Sequence, residues 1–468
     1  MLQLIFNYFA EFKILKTASK DFWLINAIQF FDGLAYFSMI TIFSMYLSTN
    51  IGMSDVDAGI WVGIFSLYIT AFTLAVGSIC DIIGIKRSFY IGMIMLVIAR
   101  VALGIIPQMG LFEKDMMAFV IKGNIILMSM GTAFMTPVIT TATRRFTTKE
   151  NRSTGFNIQY LIMNIGAILS GFAVVDGFRN SLGDVQGNLA IMDFGILMYV
   201  LSLVCTFLIN EENYADPDEK YVPKETDRPL AIFMDVWKES EFRRLVLFLL
   251  FTLGVRLVFT HQFLVMPKYY TRVLSSDFDL GFANSVNPMI IVGGLIVFIP
   301  IINKFNTFNL IVVGMTVSAL SLVFMAIPIE WTMALPFITN VDQAYVFIIY
   351  AQIIVFALGE LIFSPRFTEY TSMMAPKDKV ASYMSLSSLP MFIAKPVNGF
   401  ISGLLISQYC YDGIRAKMDS GHVGYEQSPE FMWLVYLILA VLSPVVVVLM
   451  RGTLEHAKPS SPADADAQ

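Results

Sequence analysis

Apolar residues come in long runs along this chain, and strongly polar residues gather in the short intervals between them. The runs fall at about 22–48, 58–80, 88–107, 116–141, 153–176, 189–209, 243–266, 278–302, 308–329, 343–365, 382–408 and 430–450. A helix rising about 1.5 Å per residue needs roughly 20 residues to cross a hydrocarbon core of about 30 Å, and each run is that long. The pattern therefore predicts an all-α integral membrane protein with twelve transmembrane helices. The longest polar interval, 210–242, lies between the sixth and seventh runs and is too short and too polar to hide two more spans. It divides the chain into a lead-in (1–21), a six-helix bundle (22–209), a central loop, a second six-helix bundle (243–450) and a tail (451–468). Two such halves place a site near the bilayer midplane.

Composition supports the pattern. Of 468 residues, 56% are hydrophobic and only 14% charged, and the mean hydropathy is +0.68. A soluble chain carries about 25% charge. The net charge of −5 says less than the placement of the charges. Loops on the side of the N-terminus hold 21 Lys and Arg, and loops on the other side hold 6. That asymmetry puts both termini in the cytoplasm. The first twenty residues lack a small-residue cleavage site and read as an amphipathic cytoplasmic lead-in on the membrane surface. The segment before the seventh run reads as a second interfacial helix, and the tail as disordered. Short loops and tails point to a bacterial cell membrane. Cys80, Cys205 and Cys410 are far apart and the three histidines scattered, so neither a disulfide framework nor a metal site is expected.

Charges inside the spans carry the candidate chemistry. From Tyr345 to Phe363 only Gln352 and Glu360 are strongly polar. An ionised group at that depth costs roughly 3 kcal/mol even on permissive insertion scales, so Glu360 marks a solute pathway. Asp32 and Arg100 are expected to pair in the first half, and Arg256 and Lys395 are candidate partners for Glu360 in the second. Lys122 lies near a span end and can snorkel. A static interhelical ion pair is the competing reading for Asp32 and Glu360. Prolines at 137, 288, 365, 390 and 396 lie in the runs or at their edges.

Between the second and third runs stands Gly77-Ser-Ile-Cys-Asp81-Ile-Ile-Gly84-Ile-Lys86-Arg87. Gly84 permits a tight turn, Gly77 a close helix approach, Asp81 can accept backbone amides, and Lys86 and Arg87 anchor the cytoplasmic face. This loop resembles the signature gating loop of the major facilitator superfamily, although Ile82 and Ile85 stand where basic residues are common. Four further stretches resemble the proton-dependent oligopeptide transporter (POT) family. They are GTAFMTPVIT followed by Arg152, Phe156, Tyr160, Asn164, Gly166 and Ala167; His261-Gln262; Asn287-Pro288; and Gly359-Glu360 through Ser364-Pro365, Ala375-Pro376 and Met384.

The resemblance implies a major facilitator fold and a peptide-sized central cavity. It assigns the solute's amino group to Glu360 and Asn287, and further solute contacts to Asn164, Tyr36, Gln262 and Tyr160. A carboxylate with an amide oxygen can satisfy the donors of a buried ammonium. The departures bear on coupling. The family's E-x-x-E-R motif in the first helix is here Gln29-x-x-Asp32-Gly33, and the usual Lys of the fourth helix is Thr136. Two positive charges are thereby absent from the first half, which leaves Asp32 and Glu360 as central acids.

The expected function is secondary active transport of a small peptide-like or amine-bearing solute by alternating access, with the proton as coupling ion, no other cofactor, and a monomer in contact with lipid. A proton-independent facilitator or a drug or metabolite exporter is the alternative within transport. A membrane enzyme or non-transporting receptor is the alternative class. The sequence offers it no Ser/His/Asp arrangement, phosphate loop or sizeable soluble domain.

Overall fold

The computed structural model describes residues 18–148, 151–213, 215, 240–274, 278–302, 305–374 and 389–454. Helix occupies all twelve predicted runs within them. We label α1 Lys20–Thr49, α2 Asp55–Ile83, α3 Ile85–Met109, α4 Lys114–Arg145, α5 Arg152–Leu169 and α6 Asp184–Leu208. The later helices are α7, in three segments (Ser240–Phe251, Leu253–Leu264 and Met266–Val273), α8 Leu280–Ile302, α9 Thr307–Leu320, α10 Val341–Met374, α11 Leu389–Tyr409 and α12 Pro429–Leu449. Nine of the described helices are long and apolar enough to cross a membrane.

Local chemistry sets the helix starts. The Ser19 hydroxyl accepts from the Phe22 amide at 3.2 Å, Ser54 from Asp57 at 3.1 Å, and the Asn306 side chain from Asn309 at 3.1 Å. Each satisfies one of the four amides a helix N-terminus leaves open. Two runs predicted as single helices are irregular. Pro267 lacks an amide and opens the third segment of α7, which begins at Met266. Beyond Leu169, α5 passes into a π-helical stretch, Ser170–Asp176, and then a last α-helical piece, Gly177–Leu182.

The described chain forms two compact units. The first comprises Met1–Glu225, Gln262–Val292 and Pro396–Arg415; the second comprises Thr226–His261, Gly293–Lys395 and Ala416–Gln468. In the first, α1 packs along α6 and α5, while α3 lies between α4 and α6. Ile25, Phe43, Phe65, Met93 and Val138 are fully buried there. In the second, α9 packs along α10 and α12. Backbones come close where α9 crosses α10: a Cβ on Gly314 would stand 2.9 Å from the Gly359 carbonyl oxygen, and one on Gly359 equally near that of Gly314. Glycine at both positions permits that crossing.

Candidate functional site

In the first unit, Asp32 is half-buried on α1 and Arg100 is 1% exposed on α3. Tyr199 of α6 stands between them. Its hydroxyl donates to Asp32 Oδ1 at 3.1 Å, and the Arg100 guanidinium lies 5.7 Å from the centre of its ring. Arg100 Nη2 donates to the Ala35 carbonyl at 2.6 Å and Nη1 meets Met192 Sδ at 3.4 Å, while Nε has no hydrogen-bond partner. A Cβ on Gly195 would stand 3.0 Å from Arg100 Nε, so glycine there makes room for the guanidinium. Met192, Gly195 and Tyr199 follow helical spacing on one face. The structure thus brings Asp32 and Arg100 together through a phenol that charge-based reading passes over; the spacing 192, 195, 199 opposite Arg100 was the available signal.

A second acid escaped the sequence reading. Asp193 lies inside α6, its Oδ2 accepting from Gln108 Nε2 of α3 at 2.9 Å, and its Oδ1 fills the space a side chain at Gly104 would need. The remaining expected contacts of this unit are spread over four helices. Asn164 is 5% exposed and its amide donates to the Tyr160 carbonyl one turn earlier at 2.9 Å, whereas the Tyr160 side chain is exposed. Tyr36 is half-buried and meets Phe37 edge-on at 5.4 Å. Gln262 and Asn287 are buried. Near Asn287, α8 is fixed to α5: the Ser285 hydroxyl donates to the Ile168 carbonyl at 2.8 Å, and Asp176 accepts from the Gly281 and Phe282 amides at 2.7 and 2.6 Å.

In the second unit, Arg256 and Phe259 share one face of α7, and Glu360, Phe363 and Phe367 share one face of α10. The guanidinium of Arg256 lies 4.6 Å from the ring centres of Phe363 and Phe367 and 5.0 Å from that of Phe259. The Glu360 carboxylate is the charge that acts on it. Glu360 itself is half-buried. Lys395, also half-buried on α11, makes no hydrogen bond or ion pair among the described residues. His261 is buried against Trp433 and Tyr436 of α12, with ring centres 5.5 and 4.1 Å away.

Two polar clusters hold the helix ends of the first unit. At the start of α2, Asp55 binds Lys268 Nζ at 2.7 Å and Arg272 at 2.8 Å, and Arg272 Nε also donates to Asp412 at 2.7 Å. Lys268 and Arg272 lie beyond the seventh apolar run. Burial is the largest influence on Lys268 and holds its ammonium below the usual lysine value, with Asp55 opposing. Burial also works against Arg272, but the hydrogen bond and charge of Asp55 outweigh it and hold that guanidinium above its usual value. At the opposite end of α2, Gly84 adopts φ 89° and joins α2 to α3. Lys86 Nζ donates to the Phe207 and Ile209 carbonyls at 2.9 and 2.8 Å, capping the C-terminus of α6, and its amide donates to Glu211 Oε1 at 2.7 Å. Arg87 is exposed. Gly77 and Asp81 lie in helical backbone, but the Asp81 side chain is outside the described residues, as are Ala375, Pro376 and Met384. Glu211, absent from the sequence reading, is the acid this loop uses.

Comparison with known proteins follows this geometry. The family model described as Major Facilitator Superfamily matches residues 25–397. Among solved structures, a POT family transporter in complex with a thioalcohol-conjugated peptide superposes with a TM-score of 0.69 at 15% identity, covering 92% of this chain and 96% of that one. Another, in complex with 5-aminolevulinic acid, gives 0.68 at 14% identity over 92% and 96%. The POT family transporter PepTSo gives 0.68 at 14% identity over 94% and 99%. No curated protein sequence matches. At these identities the structural likeness establishes the fold, two six-helix halves of the major facilitator type. The family match covers most of the chain, and on that ground the protein belongs to the Major Facilitator Superfamily, whose members are membrane transporters and not enzymes.

Proposed function

We propose that the protein moves a small peptide-like or amine-bearing solute across the cell membrane by alternating access, driven by protons, as a monomer with both termini in the cytoplasm. The observation that carries this reading is Glu360, a carboxylate in the middle of α10 whose neighbouring positive charge, Arg256, rests on ring faces. A carboxylate so placed can take a solute's ammonium. Similar folds are known in complex with a conjugated peptide and with 5-aminolevulinic acid, and both classes of solute suit that chemistry. Asp32, bonded to Tyr199 and near the buried charge of Arg100, is the proton carrier of the first half. Asn287, Asn164, Tyr36, Tyr160 and Gln262 are the further solute contacts, and Lys395 is a second positive charge available to the solute's acidic end. The loop at Gly77, Asp81, Gly84, Lys86 and Arg87 acts in gating. The Asp55–Lys268–Arg272 cluster holds one face shut until the helices part.

The test is uptake into proteoliposomes of a dipeptide and of 5-aminolevulinic acid under an imposed inward proton gradient. Gradient-driven accumulation that Glu360→Gln abolishes is the expected result. No accumulation of either compound, or accumulation that Glu360→Gln leaves unchanged, overturns the reading. A second reading, a facilitator or exporter without proton coupling, is favoured by Gln29, Gly33 and Thr136, which remove most of the coupling charges. It requires flux that a protonophore does not alter.

A further inference from the structure

The rings around Arg256 do more than bury it. Phe363 packs on Phe367 with centres 5.2 Å apart, Phe259 lies 5.7 Å from Phe363, and Phe248 stacks on Phe367 at 5.8 Å. The cage is therefore held by ring-on-ring contacts and keeps its shape without Arg256. All three ring centres lie within the distance, about 6 Å, at which a cation is attracted to a ring face. Glu360 precedes Phe363 by three residues and Phe367 by seven, so the carboxylate and two of the rings stand on one face of α10.

The guanidinium inside is weakly tied. Arg256 is 9% exposed, and its Nε has no hydrogen-bond partner. Ring faces and the charge of Glu360 hold it, in place of the bidentate carboxylate fork that fixes most buried arginines. Ring–cation contacts are each worth about 0.5–2 kcal/mol, and a competing cation gains the same ones.

We propose that Phe259, Phe363 and Phe367, with Glu360, form a subsite for an organic cation, a guanidinium or alkylammonium group of the solute, and that Arg256 is its tethered occupant. The inference rests on the transport reading above and narrows its substrate class to solutes with a cationic head that fits between rings. Arriving solute displaces Arg256 from the cage and takes its place beside Glu360. The displaced guanidinium is then available to a carboxylate on the same solute. That supplies the positive charge which Gly33 and Thr136 leave out of the first half.

The experiment measures binding of agmatine, which carries both cation types, to the purified full-length protein in lipid nanodiscs by calorimetry. Removing the tethered competitor with Arg256→Met should tighten agmatine binding about tenfold or more, and adding Phe363→Leu should reverse the gain. Arg256→Lys, whose ammonium cannot stack flat, should tighten binding by a smaller factor and serves if the Met variant does not fold. Agmatine binding that neither single variant tightens overturns the subsite, as does a double variant that binds as tightly as Arg256→Met. Dipeptide uptake with and without Glu360→Gln is measured on the same preparation. If Glu360→Gln abolishes uptake while agmatine binding is unmoved, the subsite fails and the transport reading stands. If Glu360→Gln leaves uptake unchanged, the transport site itself fails.

Discussion

The hydroxyl of Tyr199 donates to Asp32 at 3.1 Å, and the ring of the same tyrosine lies 5.7 Å from the Arg100 guanidinium. One side chain thus holds a central acid and supports a buried base. Replacing Tyr199 with Phe keeps the ring and removes the bond. We expect Tyr199→Phe to slow gradient-driven uptake severalfold, and Asp32→Asn to abolish accumulation while sparing downhill exchange. Paired uptake and counterflow assays in proteoliposomes read both outcomes; equal loss in the two assays would show that Asp32 is structural.

Arg100 has its room because position 195 carries no side chain. A Cβ there would stand 3.0 Å from Nε, and leucine would drive the guanidinium off the Ala35 carbonyl and Tyr199. Overpacking of this kind costs about 1–3 kcal/mol. Gly195→Leu should lower the unfolding temperature in detergent by several degrees, whereas Gly123→Ala, at a glycine with open space around it, should not.

The Asp55 cluster carries a pH signature. Lys268 is 1% exposed and its ammonium is held below the ordinary value of 10.5, so the unfolded chain binds that proton more tightly than the folded one. Its charged form therefore weighs against folding below the lowered value, and the penalty fades as pH rises toward 10.5. Asp55→Asn removes the carboxylate that offsets the penalty and should cost about 3–5 kcal/mol at neutral pH, with part of the loss recovered by pH 10. Thermal unfolding of both proteins between pH 7 and 10 checks this, and a flat difference between them would refute it.

At Gly84 a substitution meets two obstacles. The φ of 89° disfavours a side chain, and a Cβ would lie 3.0 Å from Glu211 Oε1. Gly84→Ala should destabilise by about 1–2 kcal/mol. Pairing it with Glu211→Ala should not restore stability, since the Lys86 amide then loses its acceptor. Unfolding curves of the single and double variants decide the point.

Much of the architecture was legible because span length is a physical constraint: twelve apolar runs gave twelve helical regions. Arg256 and Glu360 were legible because charge in a membrane demands explanation. Tyr199 was not, since a tyrosine in an apolar helix is unremarkable until its neighbours across the interface are known. Asp193 sits in a run apolar enough to mask it. Glu211 lies in a loop, where an acid is ordinary until it is seen to accept the Lys86 amide. The breaks in α7 were hidden because residues 243–266 read as one apolar run, and the segment opened by Pro267 begins at its edge.

The π-helical stretch of α5 has a consequence for length. A π turn arises when one residue too many is wound into an α-helix, and the excess rotates all that follows by about 100°. Asp176 meets the α8 amides only with that rotation. Deleting a single residue between Ser170 and Asp176 should therefore leave α5 a regular helix while turning Asp176 away from Gly281. In most helices a one-residue deletion damages the helix; here it would mend the winding and undo the contact.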